Sequence, residues 1–225
     1  MAAGIGSRMQ PLSLTTPKPL IKVNGKRMID SVIEALHKNG INEIYVVVGY
    51  LKEQFDFLPA KFPGLQLIEN PFYDTYNNIA SLYMAREHLA ECMILDGDQI
   101  IYNPDILSPI FNHSGYNAVW CEEQTNEWLL DVKDDIIQKC SRNGGSHGWQ
   151  LFSISRWSKE DGKKLQKWVT YEFEKGNRNI YWDDVPMFCH FDDFKLGIWK
   201  MENGDVVEID SFDELLSIDC SYKTI

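Results

Sequence analysis

Two glycines and two basic residues near the start of the chain could together bind a polyphosphate. Gly4 and Gly6 allow a tight turn whose backbone N–H groups approach an anion, and Arg8 and Lys18 add positive charge. The loop is not a Walker A motif, because no Gly-Lys-Ser/Thr follows, and it lacks the third glycine of a dinucleotide fingerprint. With Ser7 as a further member, it predicts a triphosphate-binding loop; a lone Gly-x-Gly is more often a surface turn.

A second candidate group follows the apolar segment Met93-Ile94-Leu95. Asp96 and Asp98 come directly after it, where a strand of a parallel sheet presents its ligands. Carboxylates at this point can bind a hard divalent cation such as Mg²⁺, which keeps waters and substrate phosphates as its other ligands. We assign Asp98 as a metal ligand and Asp96 to the nucleotide site. An acid that only stabilises the end of the strand is the alternative.

Aromatic residues lie beside carboxylates twice in the second half of the chain. Trp128 follows Glu127, and Tyr181 and Trp182 precede Asp183 and Asp184. A quaternary ammonium cannot donate a hydrogen bond, so aromatic faces and a nearby carboxylate recognise it. We predict a cage of Trp128 and Trp182. Core packing is the alternative, and we prefer it for four other tryptophans: Trp120, Trp157, Trp168 and Trp199.

Several motifs carry a resemblance to a known family. Ala-Ala-Gly-x-Gly-Ser-Arg-Met-x-Pro from Ala2, with Thr16-Pro17-Lys18-Pro19-Leu20, resembles the signature of the nucleotidyltransferases that make sugar nucleotides and CDP-alcohols. Later segments are similar to the bacterial CTP:phosphocholine cytidylyltransferases: Tyr76-Asn77-Asn78, Thr125-Asn126-Glu127-Trp128, Tyr181-Trp182-Asp183 and Glu208-Ile209-Asp210-Ser211. The resemblance runs nearly from end to end.

This resemblance implies substrates, a cofactor and further site residues. The substrates are CTP and a small phosphorylated amino-alcohol, the cofactor is Mg²⁺, and Asp210 is the second metal ligand. The nearby Glu208, Asp213 and Glu214 are assigned to solvent or helix capping. Cytosine and ribose contacts are expected from the loop and from the segment at residues 76–81: Ala2, Ala3, Asn77, Asn78 and Ser81. Helix capping by one of the two asparagines is the alternative.

The chemistry of nucleotidyl transfer gives Lys18 and Arg8 their catalytic role. A phosphomonoester is mostly dianionic near neutrality, with a second pKa of about 6, so it needs no general base to attack. The difficulty is to bring two anions together, which requires cations at the site. Lys18, Arg8, the loop amides and Mg²⁺ would supply them.

The order of elements predicts an α/β fold. Strands and helices alternate up to residue 98, which favours a parallel sheet, and four strand candidates between residues 118 and 155 follow one another with only turns between them. We expect a Rossmann-like, three-layer αβα fold with a mostly parallel mixed sheet and an antiparallel extension. It would form a single domain over 1–225, with a nucleotide half (1–100) and an acceptor half (101–225).

Composition limits the partners and the compartment. The 225 residues carry 22 Lys and Arg against 33 Asp and Glu, a formal charge of −11 that would repel nucleic acid and anionic membranes. Five dispersed cysteines and the lack of a long apolar run predict a soluble, cytoplasmic protein without membrane insertion. A strand ordinarily precedes the glycine loop in the resembled family, so we expect natural residues upstream of Met1. Oligomeric state is left open.

The sequence therefore predicts a Mg²⁺-dependent enzyme that transfers CMP from CTP to phosphocholine and releases pyrophosphate. Two alternatives stay open. The acceptor could instead be phosphoethanolamine, 2-aminoethylphosphonate or a sugar phosphate, or the protein could be a nucleotide-binding regulator without turnover. An NAD-dependent oxidoreductase is rejected, because the third glycine is missing.

Overall fold

Strands and helices alternate in the first half of the protein, and strands dominate the second. The computed structural model describes residues 1–224. Its strands, numbered in chain order, are β1 (Lys22–Val23), β2 (Lys26–Arg27), β3 (Ile44–Val48), β4 (Leu65–Glu69), β5 (Cys92–Leu95), β6 (Gln99–Ile101), β7 (Gly115–Cys121), β8 (Leu129–Lys133), β9 (Ile136–Ser141), β10 (Gly148–Trp157), β11 (Gly197–Lys200) and β12 (Val206–Glu208). The α-helices are α1 (Met28–Lys38), α2 (Leu58–Lys61), α3 (Ile79–Met84), α4 (Lys159–Glu174) and α5 (Phe212–Ile218).

The chain divides into two compact units, and neither is continuous in sequence. The first unit comprises Met1–Tyr76, Asp96–Pro109 and the residues from Gly204 on, and the second comprises Asn77–Leu95 and Ile110–Asn203. These units differ from the two halves predicted on either side of residue 100, because the chain leaves the first unit and returns to it twice.

The first unit is built around short parallel and antiparallel strand pairs. β3 and β4 pair in parallel from Ile44 opposite Leu65 to Val48 opposite Glu69. The N-terminal residues extend this arrangement, since Ala2 forms a parallel bridge with Val48 and donates its N–H to the Val47 carbonyl oxygen at 2.8 Å. β6 and β12 form a separate antiparallel pair.

The second unit contains a mixed sheet of six strands in the order β5-β10-β7-β11-β9-β8. β7 and β11 are parallel, and the other neighbours are antiparallel. β10 also pairs with β8, so the pairings from β10 through β7, β11, β9 and β8 return to β10. The predicted α/β class and the antiparallel extension are confirmed.

Several predicted elements differ in their ends. The largely apolar segment at residues 20–23 favours a strand that begins at Leu20, but β1 begins only at Lys22, because residues 18–20 form a 3₁₀ turn. The sequence favours a helix from about Asn78 to Leu89, but α3 ends at Met84 and is followed by a 3₁₀ turn, Arg86–His88. β6 was not predicted at all. None of the helices within residues 1–224 is long and apolar enough to cross a bilayer, and the five cysteines are free thiols.

The buried carboxylate of Glu172 stabilises the C-terminal end of α4 in the second unit through hydrogen bonds. Only 1% of the Glu172 side chain is exposed, and it accepts hydrogen bonds from Lys175 Nζ at 2.8 Å and Asn177 Nδ2 at 2.7 Å. His190 Nε2 lies 2.8 Å from the same carboxylate. Burial would raise the pKa of Glu172, but these partners outweigh it and hold the pKa below its usual value.

This lowered pKa predicts how Glu172→Gln changes stability with pH. A carboxyl whose pKa is lower in the folded state stabilises the fold above its unfolded pKa of about 4.3, and this contribution is lost as pH falls through the folded pKa. We expect Glu172→Gln to lower the free energy of unfolding by about 1–3 kcal/mol at pH 7, and the difference from wild type to shrink below about pH 4.

Urea unfolding at a series of pH values measures this effect. Glu160→Gln is the control, because it removes an exposed carboxylate from the first turn of the same helix and should cost less than about 1 kcal/mol. Equal effects of the two substitutions at pH 7 would contradict the role of the Glu172 network.

Candidate active site

The antiparallel pair β6–β12 brings two distant aspartates to the same place in the first unit. Glu208 lies opposite Gln99 in this pair. Asp98 precedes β6 and Asp210 follows β12 by two residues. Because the strands run in opposite directions, the residue before β6 and the residues after β12 lie at the same end of the pair. The register therefore places the two predicted metal ligands next to each other.

A single lysine lies between these aspartates. Lys18 Nζ is 2.6 Å from Asp98 Oδ2 and 2.7 Å from Asp210 Oδ1. The lysine side chain is 9% exposed, whereas the carboxylates are 27% and 35% exposed. Burial would lower the pKa of Lys18, but Asp98 and Asp210 outweigh this effect and raise it. Lys18 is therefore held in its charged form.

Asp210 is fixed by both its side chain and its backbone. Burial raises the pKa of Asp210, but the hydrogen bond from Lys18 and the charges of Lys18 and Arg8 outweigh it, so the net shift is downward. Arg8 Nη2 lies 3.3 Å from Asp210 Oδ2. The Asp210 N–H donates to Glu214 Oε2 at 2.6 Å, and Ser211 with Glu214 forms the predicted capping box of α5.

Glu208 differs from its predicted assignment to solvent or capping. It is half-buried, and its Oε1 accepts a hydrogen bond from Gln99 Nε2 at 2.7 Å. Gln99 is fully buried. The cross-strand contact locks the register of β6 against β12, so Glu208 helps to position the two aspartates.

A hydrophobic cluster supports these polar groups from below. Its members come from the glycine loop, from β1, α1, β6 and α5, and from residues next to β1 and β12: Met9, Ile21, Val23, Met28, Ile100, Ile209 and Leu215. Met9 follows Arg8, and Ile209 precedes Asp210. Burial of Met9 and Ile209 thus fixes the backbone next to the charged residues Arg8 and Asp210.

The glycine loop lies against Lys18, and Gly6 permits the close approach. A Cβ atom at Gly6 would be 2.9 Å from Lys18 Cβ, and Gly6 has a φ of +66°, which disfavours other residues. Gly4, Ser7 and Arg8 are exposed. Among the residues that the structure describes, the N–H groups of Gly4 and Gly6 donate no backbone hydrogen bond. The loop can therefore present amides and a guanidinium to an anion.

Ala2 and Ala3 connect this loop to the end of β3. Both are buried. Tyr50 donates its N–H to the Ala3 carbonyl oxygen at 3.0 Å, and Gly97 donates its N–H to the Met1 carbonyl oxygen at 2.8 Å. Asp96, predicted for the nucleotide site, precedes Gly97 and is 29% exposed. The start of the chain therefore aligns the loop with the segment that carries Asp96 and Asp98.

The residues present fit a divalent cation. Within residues 1–224, no group of three or more His, Cys, Asp or Glu side chains is arranged to hold a metal. Asp98 and Asp210 nevertheless offer two oxygen donors around one point that already holds a cation, the Lys18 ammonium group. Mg²⁺ commonly uses one or two carboxylates and completes its shell with water and substrate phosphates. The donor set suits such a metal.

The asparagines predicted to read the base lie in the second unit, at the start of α3. Asn77 Oδ1 accepts a hydrogen bond from the Asn78 N–H at 2.7 Å, and Asn78 Oδ1 accepts one from the Trp182 N–H at 2.8 Å. Asn78 precedes α3 without a side-chain cap. Ser81 is buried one turn further on. Asn78 thus fixes the segment at residues 181–184, and its amide nitrogen is its remaining donor group.

Three aromatic side chains and one buried carboxylate form an aromatic cage in the second unit. The Trp128 ring meets the Tyr181 ring at 5.9 Å and the Phe188 ring at 5.6 Å, both edge to face. Tyr181 is 50% exposed and Phe188 is 39% exposed. Asp184 lies at the base, where its side chain is 5% exposed and accepts the Tyr181 N–H at 3.0 Å. We call Trp128, Tyr181, Phe188 and Asp184 the aromatic cage.

The predicted pairing of Trp128 with Trp182 is wrong. Trp182 is 2% exposed, its ring stacks on Tyr116 at 6.0 Å, and it meets Trp157 edge to face at 6.1 Å. A ring buried in this way cannot present a face to a ligand, and Phe188 meets Trp128 instead. Asp183 is directed toward Tyr116 rather than into solvent, since the two side chains interact. Glu127 is exposed beside Trp128.

Comparisons with known proteins show the family of the chain. Residues 1–165 match the family described as MobA-like NTP transferase domain. A 2-aminoethylphosphonate cytidylyltransferase from Lancefieldella rimae is 38% identical over 99% of this chain and 91% of its own length. A choline-phosphate cytidylyltransferase from Streptococcus pneumoniae is 34% identical over 94% of this chain and 91% of its own length.

A solved structure agrees with these relatives. The structure of the CTP:phosphocholine cytidylyltransferase from Streptococcus pneumoniae superposes with a TM-score of 0.91 at 33% identity, covering 98% of this chain and 96% of that one. The chain belongs to the MobA-like NTP transferase family. It is a nucleotidyltransferase, and the resemblance read from its motifs is confirmed.

The sequence does not indicate two residues of the candidate site of this nucleotidyltransferase. Phe188 lies in a single π-helical turn, Val185–Cys189, and Arg142 follows β9 and pairs with Asp184. Neither belongs to a motif. The structure brings Arg142 close to Trp128 through the pairing of β8 with β9, since Leu129 lies opposite Ser141.

The contact between the glycine loop and Lys18 predicts different effects for two neighbouring substitutions. Gly6→Ala would add a Cβ at 2.9 Å from Lys18 Cβ at a positive φ, whereas a Cβ at Gly4 would meet nothing within 4 Å. We expect Gly6→Ala to lower the free energy of unfolding by about 1–3 kcal/mol and to weaken binding of a nucleoside triphosphate. Gly4→Ala should change both by much less.

Urea unfolding and calorimetric titration with nucleotide measure the two effects. Equal losses in Gly4→Ala and Gly6→Ala would show that loop flexibility matters rather than the contact with Lys18.

Proposed function

We propose that this nucleotidyltransferase transfers CMP from CTP to phosphocholine, forming CDP-choline and releasing pyrophosphate. One observation carries the proposal: Lys18 holds Asp98 and Asp210 around one cation position beside an exposed glycine loop. The similarity to choline-phosphate cytidylyltransferases over more than nine-tenths of the chain supports the choice of nucleotide and acceptor.

The charges of the site suit an attack by one anion on another. The acceptor phosphate oxygen attacks the α-phosphorus of CTP, and the bond from that phosphorus to the pyrophosphate oxygen breaks. A phosphomonoester is already a nucleophile near neutrality, so no general base is required. Lys18 and Arg8 would neutralise the phosphates, and the N–H groups of the loop around Gly4, Gly6 and Ser7 would orient them.

Asp98 and Asp210 are the residues that would hold Mg²⁺. Bound there, the ion would supply positive charge for the triphosphate and for the developing transition state. The same two carboxylates raise the pKa of Lys18, so its ammonium group stays charged near neutral pH. It can therefore bind phosphate when a second cation shares the carboxylates. Arg8 is 69% exposed and is free to turn toward the nucleotide.

Recognition of the base is assigned to the polar side chains at the start of α3. Asn77, Asn78 and Ser81 provide the hydrogen-bonding groups that a cytosine edge needs. Ala2 and Ala3 are small residues next to the loop and would contact the base or the ribose through their backbone. Asp96 completes this set near the phosphate-binding loop.

The aromatic cage is the proposed site for the trimethylammonium group of phosphocholine. Trp128, Tyr181 and Phe188 offer aromatic faces, and Asp184 provides a charge that balances the ligand's. Glu127 and Asp183 lie next to these residues in the sequence and would add negative potential. Phe188, rather than the predicted Trp182, is the ring that would bind the ammonium group together with Trp128.

A second acceptor, 2-aminoethylphosphonate, is favoured by the relative from Lancefieldella rimae that is 38% identical to this chain. Its primary ammonium can donate hydrogen bonds, which carboxylates accept. Asp184 and Glu127 would then matter more than the aromatic faces. For a trimethylammonium group, the aromatic faces would matter more than the carboxylates. The acceptor can therefore be identified by comparing how aromatic and carboxylate substitutions change the KM of each acceptor.

We further propose that the two units act as one domain in a cytoplasmic enzyme whose partners are small molecules. A net charge of −11 opposes binding to nucleic acid. The positive side chains of the candidate active site therefore act locally on a small polyphosphate.

Removal of either shared carboxylate tests the proposed reaction. With CTP, phosphocholine and Mg²⁺, we expect pyrophosphate release by the wild type, and at least about a 100-fold loss of kcat/KM in Asp98→Asn and in Asp210→Asn. Asp213→Asn is the matched control, because Asp213 is exposed on the first turn of α5. Nucleotide binding without release of pyrophosphate from CTP, whichever acceptor is added, would instead indicate a regulator.

The aromatic cage gives a separate prediction about the acceptor. We expect Trp128→Leu to raise the KM for phosphocholine about 2- to 30-fold, from the 0.5–2 kcal/mol of a cation–π contact, with little change for CTP. Trp120→Leu is the control, since Trp120 is 44% exposed and packs against Trp149. The same assay with 2-aminoethylphosphonate distinguishes the acceptors: a larger kcat/KM for the phosphonate would make it the substrate.

A further inference from the structure

The aromatic cage already contains a cation that belongs to the protein. The Arg142 guanidinium carbon lies 4.0 Å from the centre of the Phe188 ring and 5.7 Å from that of the Trp128 ring. Arg142 also forms an ion pair with Asp184. The guanidinium therefore contacts two of the three rings and the carboxylate of the cage.

An arginine and a quaternary ammonium use the same surfaces in such a site. Both are weakly hydrated cations that bind over the face of an aromatic ring within about 6 Å of its centre. The Arg142 guanidinium carbon lies 4.0 Å from the centre of the Phe188 ring, so a second cation cannot bind to the same face of this ring. A ligand with a trimethylammonium group must therefore move Arg142 before it can occupy the cage.

We infer that Arg142 is a specificity-determining residue that occupies the aromatic cage in the absence of acceptor and is exchanged for the acceptor's ammonium group. The inference rests on the proposed function and adds a step to it. Binding becomes a competition between two cations for the same rings and the same carboxylate. Arg142 lowers the affinity of the cage for every cation that cannot displace it.

The burial of the two partners indicates which one moves. The Arg142 side chain is 46% exposed, whereas that of Asp184 is 5% exposed. Asp184 also accepts the Tyr181 N–H at 3.0 Å, so its carboxylate is fixed in the wall of the cage. Arg142 lies at the end of β9 and can turn into solvent, where a guanidinium loses little.

The charge of Asp184 explains why an exchange costs less than simple removal of Arg142. Burial raises the pKa of Asp184, and the Arg142 guanidinium opposes this rise. A buried carboxylate without a cation would be strongly destabilised. When the acceptor's ammonium takes the place of Arg142, the carboxylate keeps a counter-charge throughout.

Calorimetric titration of the intact protein with choline tests the exchange without CTP or turnover. We expect Arg142→Gln to bind choline more tightly than wild type, by about tenfold if the arginine occupies the cage nine-tenths of the time. Lys139→Gln is the matched control, because it removes one exposed positive charge from β9, three residues before Arg142; it should bind choline as wild type does. Weaker or unchanged choline binding in Arg142→Gln would overturn the inference.

A second variant covers the case in which Arg142→Gln does not fold. Arg142→Lys keeps the charge next to Asp184 but loses the planar group that stacks on the rings, so its affinity for choline should also exceed that of wild type, by a smaller factor. An affinity at or below that of wild type in this variant would count against the exchange. Pyrophosphate release by the wild type tests the proposed function separately, so a failure of one does not imply a failure of the other.

Discussion

The shared hydrogen bonding of Lys18 to Asp98 and Asp210 is the interaction on which the rest of the first unit depends. Two carboxylates close together repel each other, and a partly buried lysine is costly unless its charge is compensated. Each member of this group is therefore stable only in the presence of the others. The surrounding structure satisfies that condition in several ways: β6 and β12 fix the aspartates, Gly6 leaves space for the lysine, and Glu214 holds the Asp210 backbone.

Much of this arrangement could be read from the sequence because it depends on local signals. Ser211 and Glu214 have the spacing of a capping box, and the bounds of β4 and β5 follow from short apolar segments between turn residues. Asp98 lies three residues after the end of β5. Asp210 could be assigned only through the resemblance to a family, because the strand that brings Asp98 next to it, β6 (Gln99–Ile101), is not predicted from the sequence.

The composition of the acceptor site was less predictable, because it depends on contacts between residues that are distant in the sequence. Trp182 and Tyr181 are adjacent, but the Trp182 ring is buried against Tyr116, whereas Tyr181 is 50% exposed. Phe188 and Arg142 reach Trp128 through a π-helical turn and a strand pairing. Neither the type nor the spacing of these residues contains that information.

The two sites of the protein share one physical solution to the same problem. Under the proposed function each binds a charged group of a substrate, and each would carry an uncompensated carboxylate if it held no cation of the protein. In the first unit Lys18 supplies the counter-charge for Asp98 and Asp210, and in the second Arg142 supplies it for Asp184. An internal cation keeps each site folded before the substrate arrives. The free energy of binding a cation is then the difference between its interaction with the carboxylates and that of the protein's own cation. Selectivity therefore depends on the shape and hydration of the cation more than on its charge.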